Sequence, residues 1–212
     1  MKTKAYAGHS ADTPLEEITL ERRELTDLDV EIDVLFCGVC HSDIHTVRGE
    51  WGPVTYPLVP GHEIVGTVTR TGDKVTKHKV GDTVGVGCLV NSCRTCDSCR
   101  AGLEQYCKNG ATGTYDGVDP IDGRPTAGGY SQIQVVQEDF VLKIPAGMPL
   151  DQAAPAAVRR HHHLLASAPL EGGTGHQSGR YWPGRSGPHG GQVRPLDGRR
   201  SARAHHQPRQ SR

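Results

Sequence analysis

Aromatic side chains are scarce in this chain: two Phe, two Trp and six Tyr among 212 residues. A core built from it must be aliphatic and modest in size. No apolar run long enough to span a bilayer is present, and no apolar signal region follows Met1, which excludes a membrane-spanning or exported reading and leaves the cytoplasm as the expected compartment. Formal charge is also absent overall, with 24 basic and 24 acidic residues. That zero hides a seam. Residues 1–155 hold 14 Lys/Arg against 22 Asp/Glu, whereas residues 156–212 hold 10 Arg, no Lys and two acids. The last quarter also lacks Ile, Phe, Met, Cys and Asn while carrying seven of the twelve histidines. Two different kinds of sequence meet at one point.

What is present before the seam is chemistry. Residues Cys37 to Glu63 begin C-G-V-C-H-S-D-I-H and end G-H-E. A catalytic zinc takes thiolate and imidazole ligands and keeps one position open for substrate. Cys40 and His62 supply one ligand of each kind. Ser42 could relay a proton, and Asp43 could orient a ligand imidazole from behind. Alone, Cys40 would pass for a small buried hydrophobe and His62 for a loop histidine.

Farther along, Cys93, Cys96, Cys99 and Cys107 follow the spacing C-x2-C-x2-C-x7-C on a loop of charged and small residues, which fits a closed tetrathiolate zinc site. A disulfide framework is disfavoured by seven cysteines without a leader. An iron–sulfur cluster is disfavoured because no C-x3-C-P closes the run.

Strand signals dominate residues 1–155. Val30, Ile32 and Val34 alternate as a half-buried strand requires. Ile64–Val68 and Val80–Val86 are β-branched runs punctuated by T-G-D and V-G-D turns. Tyr130–Val136 and Phe140–Ile144 follow, and Pro149–Ala154 opens a helix. Many short strands with glycine turns predict a mainly β fold, a small barrel.

Together, C-G-V-C-H-S-D-I-H, G-E-W-G-P, Y-P-L-V-P-G-H-E-I-V-G, the four-cysteine loop and G-G-Y-S resemble the zinc-dependent medium-chain alcohol dehydrogenases, most of all the cinnamyl-alcohol-dehydrogenase branch. The resemblance runs from about Tyr6 to Pro155. It implies a GroES-like barrel over residues 1–155, the N-terminal catalytic domain of that family. It implies catalytic zinc on Cys40 and His62, with Glu63 as an alternative ligand, and structural zinc on Cys93, Cys96, Cys99 and Cys107. Ser42 and His45 would form a proton relay, Asp43 would orient the site, and Cys37 would be a bystander. The implied reaction passes hydride between a primary alcohol, aromatic or aliphatic, and a nicotinamide, with zinc as Lewis acid. Intact members of the family would be homodimers acting on small alcohols or aldehydes.

After Pro155 the resemblance stops. Residues 156–212 have no apolar period and read literally as an Arg/Gly/His-rich disordered tail, with the Rossmann domain missing. A basic arm of this kind could meet nucleic acid, and His161, His162 and His163 could take up metal adventitiously. A third reading fits better. Trp182 has the single codon TGG, and one base over, allowed codons for Trp182–His189 read G-L-G-G-L-G-H-M, which contains the G-x-G-x-x-G pyrophosphate turn. Family-like readings can be sustained across the tail, including T-T-S-P-G near the end, which has no acid for a ribose 2′-hydroxyl and so favours NADP over NAD. One inserted G after the Pro155 codon accounts for all of it. The family's third catalytic ligand, the cysteine of L-L-C, then straddles Val158 and Arg159 and is lost. The expectation is an enzyme lineage whose 212-residue product is inactive. The alternative is a non-enzymatic zinc-binding barrel with a basic tail.

Overall fold

The computed structural model describes residues 1–155. The expectations placed on the tail, including the His161–His163 run, lie outside the described residues. Among the described residues, ahead of a helical segment at 150–155, the chain forms β1 (Lys2–Ala7), β2 (Glu16–Glu21), β3 (Asp29–Gly38), α1 (His41–Val47), β4 (Glu63–Thr71), β5 (Thr83–Val86), β6 (Leu89–Asn91), α2 (Asp97–Arg100), β7 (Thr112–Gly113), β8 (Ile133–Gln137) and β9 (Val141–Lys143). The fold is mainly β, as the sequence predicts.

Its centre is a five-stranded antiparallel sheet in the order β8-β3-β4-β5-β9. Register shifts in the β3–β4 ladder, between Glu31 and Ile32 and between Val34 and Phe36, mark irregularities of the kind that bend a strand and curl a sheet into a half-barrel. The β1–β2 hairpin lies against the segment ahead of β8, where the Tyr6 N–H donates to the Tyr130 carbonyl and the Gln132 N–H to that of Lys4. The concave core is almost wholly β-branched: Val30, Ile32, Ile64, Val68, Val84, Val86 and Val136, closed by Phe140. Such side chains pack well on a pleated surface, which is how a chain with two Phe builds a core.

Three expectations about strands need correction. Val80–Val86 is not one strand: Val80 is exposed, Gly81 turns with a positive φ, and pairing begins at Thr83. The turn residues noticed in the sequence sit inside the run rather than beside it. Tyr130–Val136 forms ladder pairs only from Ile133, because Gly128, Gly129 and Tyr130 bond instead to the carbonyls of Val59, Gly61 and Pro60. In β3 the alternation does not place Glu31 in solvent; it is buried, accepting hydrogen bonds from Thr69 Oγ1 at 2.8 Å and Arg70 Nη1 at 3.2 Å. Both faces of β3 are covered from Asp29 to Ile32, and the strand opens to solvent at Asp33.

The predicted helix opening is present from 150 to 155. Ala153 and Ala154 bury against Val65, with Phe36, Ile144 and Leu150 around them, on the face of the sheet opposite the main core.

Candidate metal centres

The four-cysteine loop builds its own cage. Cys93 leads in, Cys96 caps the four-residue helix α2, Cys99 sits within it, and Cys107 follows a 3-10 turn at Glu104–Tyr106. The four sulfurs lie within 4.8 Å of one another. Cys93 Sγ and Cys99 Sγ are 3.8 Å apart, and Cys96 Sγ and Cys99 Sγ are 3.4 Å apart. Tetrahedral thiolates about 2.3 Å from zinc stand roughly 3.8 Å from each other, so the cage fits zinc. Backbone N–H groups point at the sulfurs: Cys96 to Cys93 at 3.4 Å, Lys108 to Cys96 at 3.5 Å, Cys93 to Cys107 at 3.5 Å. Hydrogen bonds from the backbone and hydroxyl of Thr95 and from the Cys96 N–H lower the Cys93 pKa to about 5. None of the seven cysteines is in a disulfide.

The second centre is assembled from distant segments. Cys40 caps α1, while His62 and Glu63 stand at the start of β4, and their donor atoms also lie within 4.8 Å of one another. Asp43 ties the halves together. Its Oδ2 accepts the Cys40 N–H at 2.9 Å, and its Oδ1 accepts the Gly61 N–H at 3.0 Å and lies 3.1 Å from His62 Nδ1. A proton on Nδ1 held by Asp43 leaves Nε2 of His62 as the free lone pair. Burial alone would raise the Asp43 carboxyl, but the hydrogen bonds from His62 and from the Cys40 N–H outweigh it and hold it below the usual carboxylate range. Two glycines make the approach possible. A Cβ on Gly38 would meet the Glu63 carboxylate, and one on Gly61, at φ +105°, would sit 2.6 Å from the Tyr130 ring and 2.8 Å from Cys37 Sγ.

Ser42 and His45 stand three residues apart, on one face of α1. Ser42 Oγ is 3.5 Å from Cys40 Sγ. His45 Nδ1 meets the Glu50 carboxylate, and its ring stacks on exposed Trp51 with centroids 5.2 Å apart. Cys37 joins neither donor group; it packs on the main core, and burial pushes its thiol well above the ordinary range.

Several residues around this centre escape a reading of the sequence. Glu50 and Trp51 belong to G-E-W-G-P, and Tyr130 to G-G-Y-S, so the motifs were visible without the roles. The Tyr130 hydroxyl lies 3.5 Å from Asp43 Oδ2, and the Tyr115 ring is 5.8 Å from that of His62. Burial first, then the Asp43 charge, raises both phenols. Burial also lifts the Cys88 thiol to about 11, with smaller contributions from the charges of Cys40, Glu63 and Asp43.

The family model of the alcohol dehydrogenase GroES-like domain matches residues 26–146, more than half of the chain. The chain belongs to this family. An NADP-dependent alcohol dehydrogenase of Mycolicibacterium smegmatis is 59% identical over 152 residues, which is 71% of this chain and 43% of that relative. A solved cinnamyl alcohol dehydrogenase of Sorghum bicolor superposes with a TM-score of 0.72 at 48% identity, covering 74% of this chain and 44% of its own. The solved CAD of Helicobacter pylori in complex with NADP(H) gives the same TM-score at 41% identity, over 74% of this chain and 45% of that one. The chain thus spans less than half the length of these relatives. Its described part is similar to the corresponding part of the cinnamyl-alcohol-dehydrogenase branch.

Proposed function

We propose that residues 1–155 are the zinc-binding catalytic module of an enzyme that interconverts a primary alcohol and its aldehyde with NADP(H). The observation that carries this is the pairing of an open Cys40/His62/Glu63 centre with a closed four-cysteine centre on one GroES-like domain. The substrate and cofactor follow from the relatives, whose names specify NADP and alcohol or cinnamyl alcohol.

In this reading Cys40 and His62 hold the catalytic zinc, with Glu63 alongside, and the ion supplies Lewis acidity to the substrate oxygen. Asp43 fixes the His62 tautomer and the spacing between α1 and β4. Ser42, beside Cys40, takes the substrate hydroxyl proton, and His45, on the same helix face and half exposed, hands it to solvent with Glu50 holding its Nδ1. Tyr115 and Tyr130 keep water from Asp43. Cys93, Cys96, Cys99 and Cys107 hold the structural zinc that fixes their loop.

Residues 156–212 are read here as out of frame, and the 212-residue polypeptide as inactive in hydride transfer. The two parts of this reading are tested together by assaying NADPH-dependent reduction of a benzylic aldehyde. The 212-residue chain and the product of a gene lacking one G after codon 155 would be compared. Turnover by the frame-restored protein alone is expected. Zinc-dependent turnover by the 212-residue chain would overturn its inactivity, and no turnover by either would overturn the dehydrogenase reading.

A further inference from the structure

Arg22 directly follows β2 and is buried, yet no carboxylate pairs with it among the described residues. Its backbone is clamped by the chain start: its N–H donates to the Met1 carbonyl at 2.8 Å, and the Met1 amino group donates to its carbonyl at 2.8 Å. The guanidinium reaches to residues 127–133. Nε donates to the Ile133 carbonyl at 2.8 Å, Nη1 to that of Ala127 at 2.7 Å, and Nη2 to the Gly128 carbonyl at 2.9 Å and the Ser131 hydroxyl at 2.7 Å. All four acceptors are uncharged. Burial first, then the charge of Arg23, lowers the pKa of the group to about 9. A buried charge resting on dipoles alone is costly to a fold. What it supplies is geometry, a rigid planar fork of donors that fixes several carbonyls at once.

The segment held in this way packs on the one that leads into the open metal centre. Gly128, Gly129 and Tyr130 donate their N–H groups to the carbonyls of Val59, Gly61 and Pro60 at 2.8–3.0 Å, immediately ahead of His62. The contact is backbone on backbone. A Cβ on Gly128 would sit 2.4 Å from the Pro60 carbonyl oxygen, and one on Gly129 would sit 2.3 Å from the Ile64 side chain. With no room for a side chain at either glycine, the spacing of the two segments is set by their hydrogen bonds and by whatever else holds 127–133. Two contacts carry that spacing into the site. The Gly61 N–H donates to Asp43 Oδ1 at 3.0 Å, the oxygen that also faces His62 Nδ1, and the Tyr130 hydroxyl lies 3.5 Å from Asp43 Oδ2.

We propose that Arg22 is a positioning residue for the open metal centre, acting through residues 127–133 and 59–61 on His62 and Asp43. It acts at a distance, since none of its four side-chain hydrogen bonds goes to Cys40, Asp43, His62 or Glu63. The proposal rests on the reading of Cys40, His62 and Glu63 as the zinc-binding centre. Its test reads amide and imidazole signals rather than turnover, so the two fail separately.

The test compares the 15N-labelled 212-residue chain with Arg22→Met, Arg22→Lys and, as a destabilising control in the main core, Val68→Ala. Arg22→Met is expected to speed hydrogen exchange of the Gly61, Gly129 and Tyr130 amides by about tenfold or more, the effect of losing a charge-assisted hydrogen bond. The Arg100 and Ile144 amides, bonded to Cys96 and Thr83, should keep their rates. At constant pH the ring 15N shifts of His62 should move away from those of the Nδ1–H form. Arg22→Lys, which keeps the charge without the fork, should change the same signals by less. Val68→Ala should leave the His62 shifts in place. Unchanged exchange at residues 61, 129 and 130, exchange raised equally throughout, or His62 shifts moved as far by Val68→Ala would each overturn the proposal. Where Arg22→Met does not fold, Arg22→Lys decides by the same criteria.

Discussion

The two candidate metal centres are assembled in opposite ways. All four cysteines of the closed centre fall within fifteen residues, from Cys93 to Cys107, and their sulfurs are gripped by N–H groups of the same loop. The open centre takes Cys40 from the start of α1 and His62 and Glu63 from the start of β4, and depends on Asp43 to bridge them. The first is a local object attached to the barrel; the second is made by the barrel. A local cage reaches its full ligand set from one stretch of chain. An assembled site inherits every defect in the frame around it.

This contrast is breakable, and the largest effect should come from the closed cage. Removing one thiolate by Cys99→Ala should cost most of the metal's contribution, which for structural zinc is on the order of 10 kcal/mol. The loop should then become protease-sensitive and one zinc per chain should disappear, as read by limited proteolysis and elemental analysis.

The frame comes next. Asp29, fully buried at the start of β3, receives Arg23 Nη1 at 2.5 Å and Nη2 at 3.0 Å, and the Thr26 N–H at 2.7 Å. Burial alone would raise its pKa; the hydrogen bonds from Arg23 and Thr26 outweigh that and lower it. The unfolded chain therefore binds a proton more readily there. The contribution is complete above the unfolded pKa of about 4 and is lost as pH falls through the lower folded value. Asp29→Asn should destabilise at pH 7 by about 3 kcal/mol, since it leaves a mostly buried Arg23 short of its partner. Urea unfolding at pH 7 and at pH 3 should show this difference shrinking in acid.

A smaller effect sharpens the comparison. Asp43→Ala strips partners from the Cys40 N–H, the Gly61 N–H and His62 Nδ1, and should cost about 2 kcal/mol by chemical unfolding while leaving the four-cysteine zinc in place. Lys108→Ala removes only the exposed pair with Asp97, and should change stability by no more than about 0.5 kcal/mol in the same assay.

Legibility in the sequence followed the same division. The closed cage could be read from spacing alone, because its geometry is fixed by a few residues of loop. The ligands of the open centre were visible as residue types, and the structure brings Cys40, His62 and Glu63 together. Asp43 was legible too, as the residue that orients the ligand imidazole; the phenols around it were not. Tyr115 comes from a segment with no pattern, the loop after β7, and it hydrogen-bonds Asp43. The β content was legible from alternation and glycine turns, whereas strand limits were not. Gly81 turns inside an apparently continuous run, and Gly128–Gly129 divert the backbone toward the 59–61 segment. Glu31 shows why alternation misleads: charge does not mark the solvent face where a neighbouring strand supplies Thr69 and Arg70.

The central claim is that one zinc is held firmly by the closed cage and none comparably by the open site of the 212-residue chain. The direct measurement is zinc per chain after exhaustive gel filtration against a mild chelator, for the unaltered protein, Cys40→Ser and Cys99→Ser. One zinc in the unaltered chain and in Cys40→Ser, with none in Cys99→Ser, is the predicted result. A zinc that survives Cys99→Ser but is lost with Cys40→Ser would contradict it.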